Sequence, residues 1–155
     1  MKGNEKVIAM LNDLLADELT AVSQYMVHAE MCANWHYKKL AEAVEKRAID
    51  EMKHAEKHIG RILFLEGTPV VSNLKPMHIG ADVEAQLKND TAAEVGAVAA
   101  YNAGIQLAVK CGDNGTREML EGILADEEVH LDWLEAQVEQ IRQMGLSSYL
   151  VEQLG

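Results

Sequence analysis

Six side chains able to hold metal recur along the chain with a single offset. Glu18, Glu51 and His54 return 76 positions later as Glu94, Glu127 and His130. Each Glu-x-x-His pair has a lone Glu 33 residues before its own Glu. On a helix, positions i and i+3 share a face, so the Glu and His of one pair can reach the same ion. Four carboxylates and two imidazoles form an oxygen-rich donor set with one nitrogen per metal. Such a set suits iron or manganese better than structural zinc, which favours Cys and His. Carboxylates crowded together away from water cannot all stay ionised, and two divalent ions would offset four negative charges. Two of the carboxylates can bridge the ions. A pair of irons held side by side can then deliver electrons to one O₂ or peroxide, provided coordination positions stay open.

Other residues follow the same register. Tyr25 maps onto Tyr101 and Asp50 onto Asp126. Each Asp precedes a Glu of a pair and can accept the second N–H of the His on the opposite hairpin, fixing its tautomer. The plain alternative is a surface Asp. Each Tyr lies seven residues after its Glu, on the same helical face. There it can hydrogen-bond a ligand carboxylate, pass an electron, or simply pack with its hydroxyl satisfied. Tyr25 is read as a near-site residue and Tyr101 is left open. Met52 follows Glu51 directly and points about 100° away from it. Facing outward, its thioether can meet a partner chain or ligate haem iron, and a packing or interface role is the plainer reading. His28, His36, His58 and His78 lack partners at ligand spacing and are read as surface or capping residues.

Long helices must position these groups. Apolar residues from Val7 through Leu11, Leu14, Leu15, Val22 and Met26 to Ala29 recur in a three-four rhythm, which predicts one helix from Glu5 to about Ala33. A turn at Asn34 leads to a second helix over about 36–65, with Ile49, Met52, Ile59, Ile62 and Leu63 on its apolar stripe. Glu66-Gly67-Thr68-Pro69 stops it, with Gly67 as the left-handed cap. Residues 66–81 read as a long extended connection. A third helix is expected over about 82–110, capped near Asp82, and a fourth over about 116–144. Gly145 breaks the last, and 147–154 can form a short fifth helix. Short, long and short connections describe two antiparallel hairpins joined by a crossover, an all-α four-helix bundle. At about 1.5 Å rise per residue, all four glutamates come level at mid-bundle.

Composition agrees with this architecture. The 155 residues suit a single domain over 1–155, 48% of them are hydrophobic, and only two are proline. A net charge of −11 argues against a nucleic-acid partner and fits cation handling or plain solubility. Cys32 and Cys111 lie far apart, without CxxC spacing, and read as reduced thiols of a cytoplasmic protein. No signal peptide opens the chain, and no run of about 18 apolar residues predicts a membrane span.

The motifs carry a resemblance. MKGNEKVIAMLNDLL, ELTAVSQY around Glu18 and Tyr25, IDEMKHAEKHIGRILFLEGTP around Glu51 and His54, and ILADEEVHLDWLE around Glu127 and His130 resemble bacterioferritin. The resemblance covers nearly the whole chain, and the donor pattern is that of ferritin-like di-iron bundles. It implies an iron-storage ferroxidase that oxidises Fe(II) with O₂ or H₂O₂ and keeps the ferric mineral inside a hollow shell of twenty-four subunits built from two-fold dimers. The six ligands would be Glu18, Glu51, His54, Glu94, Glu127 and His130, with Glu51 and Glu127 bridging. Met52 from two chains would ligate one b-type haem, which helps electrons enter the mineral when iron is released. A small ferredoxin-like protein would supply those electrons.

The chain also departs from the family. Many relatives carry His and Glu where this sequence has Lys46 and Arg47, on the surface facing the inner cavity. The exchange puts in doubt an accessory iron site near Asp50. Glu30 likewise replaces a common basic residue. Two other functions compete with the ferroxidase reading: a haem-carrying structural shell, and a peroxide-reducing di-iron protein, although the CxxC iron module usual in the latter is missing.

Overall fold

The computed structural model describes all 155 residues as five helices with no strand. Helices α1 (Glu5–Asn34) and α2 (Lys38–Phe64) form one hairpin, and α3 (Val83–Lys110) and α4 (Asn114–Met144) form the other. A short α5 (Leu146–Glu152) follows. Helix α1 packs on α2 and α3, and α4 packs on α3, α2 and α5. This is the four-helix bundle with one long crossover expected from the connection lengths, in the form the family resemblance implies. No helix is long and apolar enough to cross a membrane.

Local chemistry sets the ends. The side chains of Asn4, Asp82 and Asp113 accept hydrogen bonds from the Lys6, Ala85 and Thr116 amides, capping α1, α3 and α4. Three helices close alike at their C-termini. Tyr37 N–H reaches Cys32 O at 3.0 Å, Gly67 N–H reaches Ile62 O at 2.9 Å, and Asp113 N–H reaches Ala108 O at 2.8 Å. Each closure puts one residue in the left-handed region: His36 (φ 65°), Glu66 (φ 62°) and Gly112 (φ 71°). Gly67 is therefore not the left-handed cap, as its type had predicted; Glu66 is. Gly67 is there for space, because a Cβ at that position would lie 2.7 Å from Ile8 Cγ2 and 3.0 Å from Ile62 Cγ2.

The crossover from α2 to α3 has no regular structure, yet α1 satisfies its backbone at intervals. Val70 N–H donates to Asn12 Oδ1, Lys75 N–H to Thr20 Oγ1, His78 N–H to Gln24 Oε1 and Gly80 N–H to His28 Nε2, at 2.8 to 3.0 Å. In return Asn12 Nδ2 donates to Thr68 O. The segment is a strap climbing one face of α1 on polar rungs, which answers the demand that buried backbone groups be paired. His28 is thus no surface residue. It is fully buried, accepts from Gly80 at Nε2, and so carries its proton on Nδ1, facing Asp90 Oδ1 at 2.9 Å. Asp90 also accepts from Gln24 Nε2.

The apolar core has two larger clusters and a smaller one of Tyr25, Ala29, Val44 and Ala48. Val7, Leu11, Leu15, Ile62, Leu65, Leu120 and Ile123 fill one end. Cys32, Leu40, Val83, Leu87, Leu134 and Tyr149 fill the other, where the free Cys32 thiol is pushed up to about 11 by burial. A polar layer separates the two. Met26, Ile49 and Leu63 of the expected apolar stripes instead face outward, and Met52 faces outward as its position beside Glu51 predicts; the four are 42 to 58% exposed. Helices α1 and α2 therefore carry apolar surface that their own core does not use.

A left-handed non-glycine residue costs roughly 1–2 kcal/mol, and glycine's extra unfolded-state entropy takes back about half of any relief. Glu66→Gly is expected to raise stability by about 0.5–1 kcal/mol in urea unfolding at fixed protein concentration. Gly67→Ala is expected to lower it through its collisions with Ile8 and Ile62.

Candidate metal centre

The polar layer holds all six repeated residues. Glu18 comes from α1, Glu51 and His54 from α2, Glu94 from α3, and Glu127 and His130 from α4. Each is 1 to 3% exposed. They fall into two groups: Glu18, Glu51, His54 and Glu127, and Glu51, Glu94, Glu127 and His130. Within each group, one donor atom per residue lies within 4.8 Å of all the others. Glu51 and Glu127 belong to both groups, the positions that bridging carboxylates would occupy.

The donor atoms point inward and are satisfied only in part. Glu18 Oε2 and Glu94 Oε2 are buried without a hydrogen bond, and Glu127 Oε1 and His130 Nδ1 have only members of the same cluster within reach. A native interior rarely leaves such atoms unpaired. Here the gaps converge on one point, and a pair of divalent cations fits this donor chemistry. His54 Nδ1 lies 2.8 Å from Glu127 Oε1 and 3.7 Å from Glu18 Oε2; His130 Nδ1 lies 3.0 Å from Glu94 Oε1 and 3.7 Å from Glu51 Oε1.

Residues around the donors orient them. His54 Nε2 donates to Asp126 Oδ2 at 3.0 Å, which turns Nδ1 toward the carboxylates, where a metal would take the place of its proton. Asp50 does not do the same for His130. It faces Arg47 at 3.8 Å instead, so the expected role holds for Asp126 and fails for Asp50. Tyr25 donates to Glu94 Oε1, and its ring meets the His130 ring edge-on with centroids 5.4 Å apart. Tyr101, left open from sequence, donates to Glu18 Oε1. The shared offset was its signal. His58 was read as surface or capping, yet it is fully buried, with Nε2 2.6 Å from the Tyr101 oxygen. Because the Tyr101 proton is committed to Glu18, His58 donates from Nε2. Its position seven after Glu51 and four after His54, on one helical face, was the available clue.

Electrostatics explain how the donor set survives without cations. Burial raises Glu127 to about 9, assisted by the neighbouring Glu94 and Glu18 charges and opposed by His54. Burial, with Glu18 beside it, pushes Glu51 well above the usual carboxylate range. Burial would raise Glu94 as well, but hydrogen bonds from His130 and Glu127 bring it down to about 2. Glu18 is also lowered, its burial outweighed by Glu51 and His54. Charge is thus favoured on the outer carboxylates and disfavoured on the shared pair. Burial and neighbouring carboxylates push Tyr25 and Tyr101 up, so both stay neutral donors. Burial brings His58 down to about 4 and keeps it neutral.

A cavity of about 480 Å³ between α1, α3 and the strap leads to Glu18, Glu51, Glu94 and Glu127. Lys75 of the strap lines it, reaching Asp17 at 2.5 Å and Asp13 at 2.9 Å.

The family model for the ferritin-like domain matches residues 8–144. The bacterioferritin of Brucella melitensis is 40% identical to this chain over 149 residues, covering 96% of this chain and 92% of its own. That of Rhodobacter capsulatus is 40% identical over 145 residues, with 94% and 90% covered. That of Mycolicibacterium paratuberculosis is 38% identical over 149 residues, with 96% and 94% covered.

Glu127 binds its proton more tightly folded than unfolded, so its contribution is present below the ordinary carboxylate range and is lost as pH rises through about 9. His54, also raised, acts in the same direction. Metal-free protein is expected to melt at a lower temperature at pH 9 than at pH 6. Divalent cation should largely remove that dependence, as read by calorimetry with and without Co(II).

Proposed function

The chain belongs to the bacterioferritin family of ferritin-like proteins, and we propose that it stores iron, oxidising Fe(II) to Fe(III) at the six-residue centre. The observation that carries this reading is the pair of buried donor groups that share Glu51 and Glu127, with Glu18 Oε2 and Glu94 Oε2 left without a hydrogen bond beside them. Iron bound there supplies two electrons to one molecule of O₂ or H₂O₂.

The remaining work belongs to the protein. Glu18 with His54, and Glu94 with His130, would each hold one ion, and Glu51 with Glu127, common to both groups, would be shared between them. Protons on Glu51 and Glu127 leave as cations arrive, so charge stays near balance throughout. Asp126 keeps His54 in the tautomer that binds through Nδ1. Tyr25 and Tyr101 anchor the far oxygens of the terminal carboxylates, which stops them swinging away. The cavity beneath the strap gives Fe(II) an acidic approach, and Lys75 at its wall holds Asp13 and Asp17 until a divalent ion displaces it.

The reading extends to the assembly. Residues 1–155 act as one unit of a hollow cytoplasmic shell, built from twenty-four copies arranged as two-fold dimers. Met52 is 44% exposed, beside exposed Ile49 on the same helix, so its thioether is free of its own core. Paired with its counterpart on a second copy, it would ligate a b-type haem that takes electrons from a small ferredoxin-like reductant for iron release.

Fe(II) added in air to metal-free protein is expected to give rapid ferric absorbance. Glu94→Ala and His130→Ala should each slow the initial rate by about a hundredfold, the scale of lost metal ligation or its support. Rates equal to the parent's would overturn the ferroxidase reading. Haem-loaded protein is expected to show a bis-thioether visible spectrum that Met52→Leu abolishes; an unchanged spectrum would remove Met52 as the ligand.

A further inference from the structure

The face of the bundle formed by α2 and α4 lies across from the carboxylate-lined cavity and carries the reverse charge. A second cavity there, of about 310 Å³, is walled by Lys46, Arg47, Lys53 and Lys57 against Asp50 and Asp126, with His54 at its floor. Four cations face two carboxylates, a local balance of +2 in a chain whose net charge is −11. Both carboxylates already face another group. Asp126 accepts from His54 Nε2 at 3.0 Å, and Asp50 faces Arg47 at 3.8 Å. Lys46, Lys53 and Lys57 make no ion pair with any acidic side chain, although the chain has 25 acidic residues to offer.

Spacing turns these cations into a cluster. Positions 46, 53 and 57 are separated by about two turns and one turn of α2, so they line one stripe, with Arg47 beside it. Lys46, Lys53 and Lys57 are exposed along this stripe, and an anion among like charges on one face lowers their mutual repulsion. Arg47 is the most enclosed of the four, its side chain 17% exposed, and its planar fork matches two oxygens of an oxyanion. The cavity is several times the roughly 30 Å³ occupied by one water, so it has room for a hydrated tetrahedral anion.

We propose that this cavity binds a tetrahedral oxyanion of the inorganic phosphate class through Lys46, Arg47, Lys53 and Lys57. The same cations disfavour a metal at Asp50 and Asp126, so the two faces of the bundle have opposite preferences. His54 stands between them, with Nδ1 toward the donor cluster and Nε2 toward Asp126. On the iron-storage reading, ferric iron leaving the centre on this side meets its counter-anion one imidazole away. This consequence rests on that reading; the binding site itself does not.

The test uses the full-length, metal-free protein, titrated calorimetrically with inorganic phosphate at constant ionic strength, with sulfate and chloride as parallel arms. Saturable phosphate binding is expected, with sulfate competing and chloride not. Lys46→Gln with Arg47→Gln should weaken it by roughly tenfold or more, the scale of losing charge-assisted bonds. Lys110→Gln, on α3, should leave it unchanged. If the double variant does not fold, as judged by circular dichroism, Lys53→Gln with Lys57→Gln replaces it. Absence of saturable binding, a double variant that binds like the parent, or chloride competing as well as phosphate would overturn the site. After iron loading in phosphate, the phosphorus-to-iron ratio should fall in the variant. Parent protein that binds phosphate but oxidises no iron would fault the storage reading alone.

Discussion

Four glutamates buried around one point are the constraint to which the rest of this structure answers. No arrangement of protein donors satisfies all of their inward oxygens, and several are left bare. Without cations the cluster survives by keeping protons on Glu51 and Glu127 and charge on Glu18 and Glu94. The flanking apolar layers hold the four helices at a spacing that prevents the carboxylates from escaping to water. A site kept rigid by its surroundings and incomplete in itself is prepared for ions that bring the missing charge.

Much of this was legible before any coordinates. Helix bounds fell within two or three residues of expectation because Gly, Pro and capping Asp mark them, and the donors converge because their distances from the two turns are matched. The 76-residue offset also exposed Tyr101, whose bond to Glu18 mirrors that of Tyr25 to Glu94. What failed was context. Glu66 is left-handed although Gly67 follows it, since hydrogen bonds to Ile62 and Leu63 impose the geometry whatever the side chain. Met26, Ile49 and Leu63 read as core because periodicity cannot distinguish two apolar stripes on one helix. His28 was invisible because its partners come from other segments, far away in sequence, whereas the spacing of His58 from Glu51 and His54 was a signal left unused.

The two hairpins repeat one design without being equivalent. Asp126 serves His54, whereas Asp50 turns to Arg47 and leaves His130 without the matching support. Tyr101 is backed by the stacked ring of His58, whereas Tyr25 meets the edge of His130. Arg61, reaching Asp113 and Thr116, buckles the end of α2 to the start of α4. The pair of metal positions is therefore symmetric in donors and asymmetric in what stands behind them. Two ions bound there would differ in how firmly each is held.

The strap over α1 reverses the usual freedom of irregular segments. Long connections ordinarily absorb added or deleted residues at little cost, since closure entropy grows only slowly with length. Here the residue count between rungs is fixed by the pitch of the helix beneath, from Asn12 to Thr20, Gln24 and His28. At its upper end Gly80 lies so close to α3 that a Cβ would come within 2.3 Å of the Gln86 nitrogen. One inserted residue between 70 and 80 would throw every later rung out of step and carry Lys75 away from Asp17. A stretch with neither helix nor strand is thereby as intolerant of length change as the helices it joins.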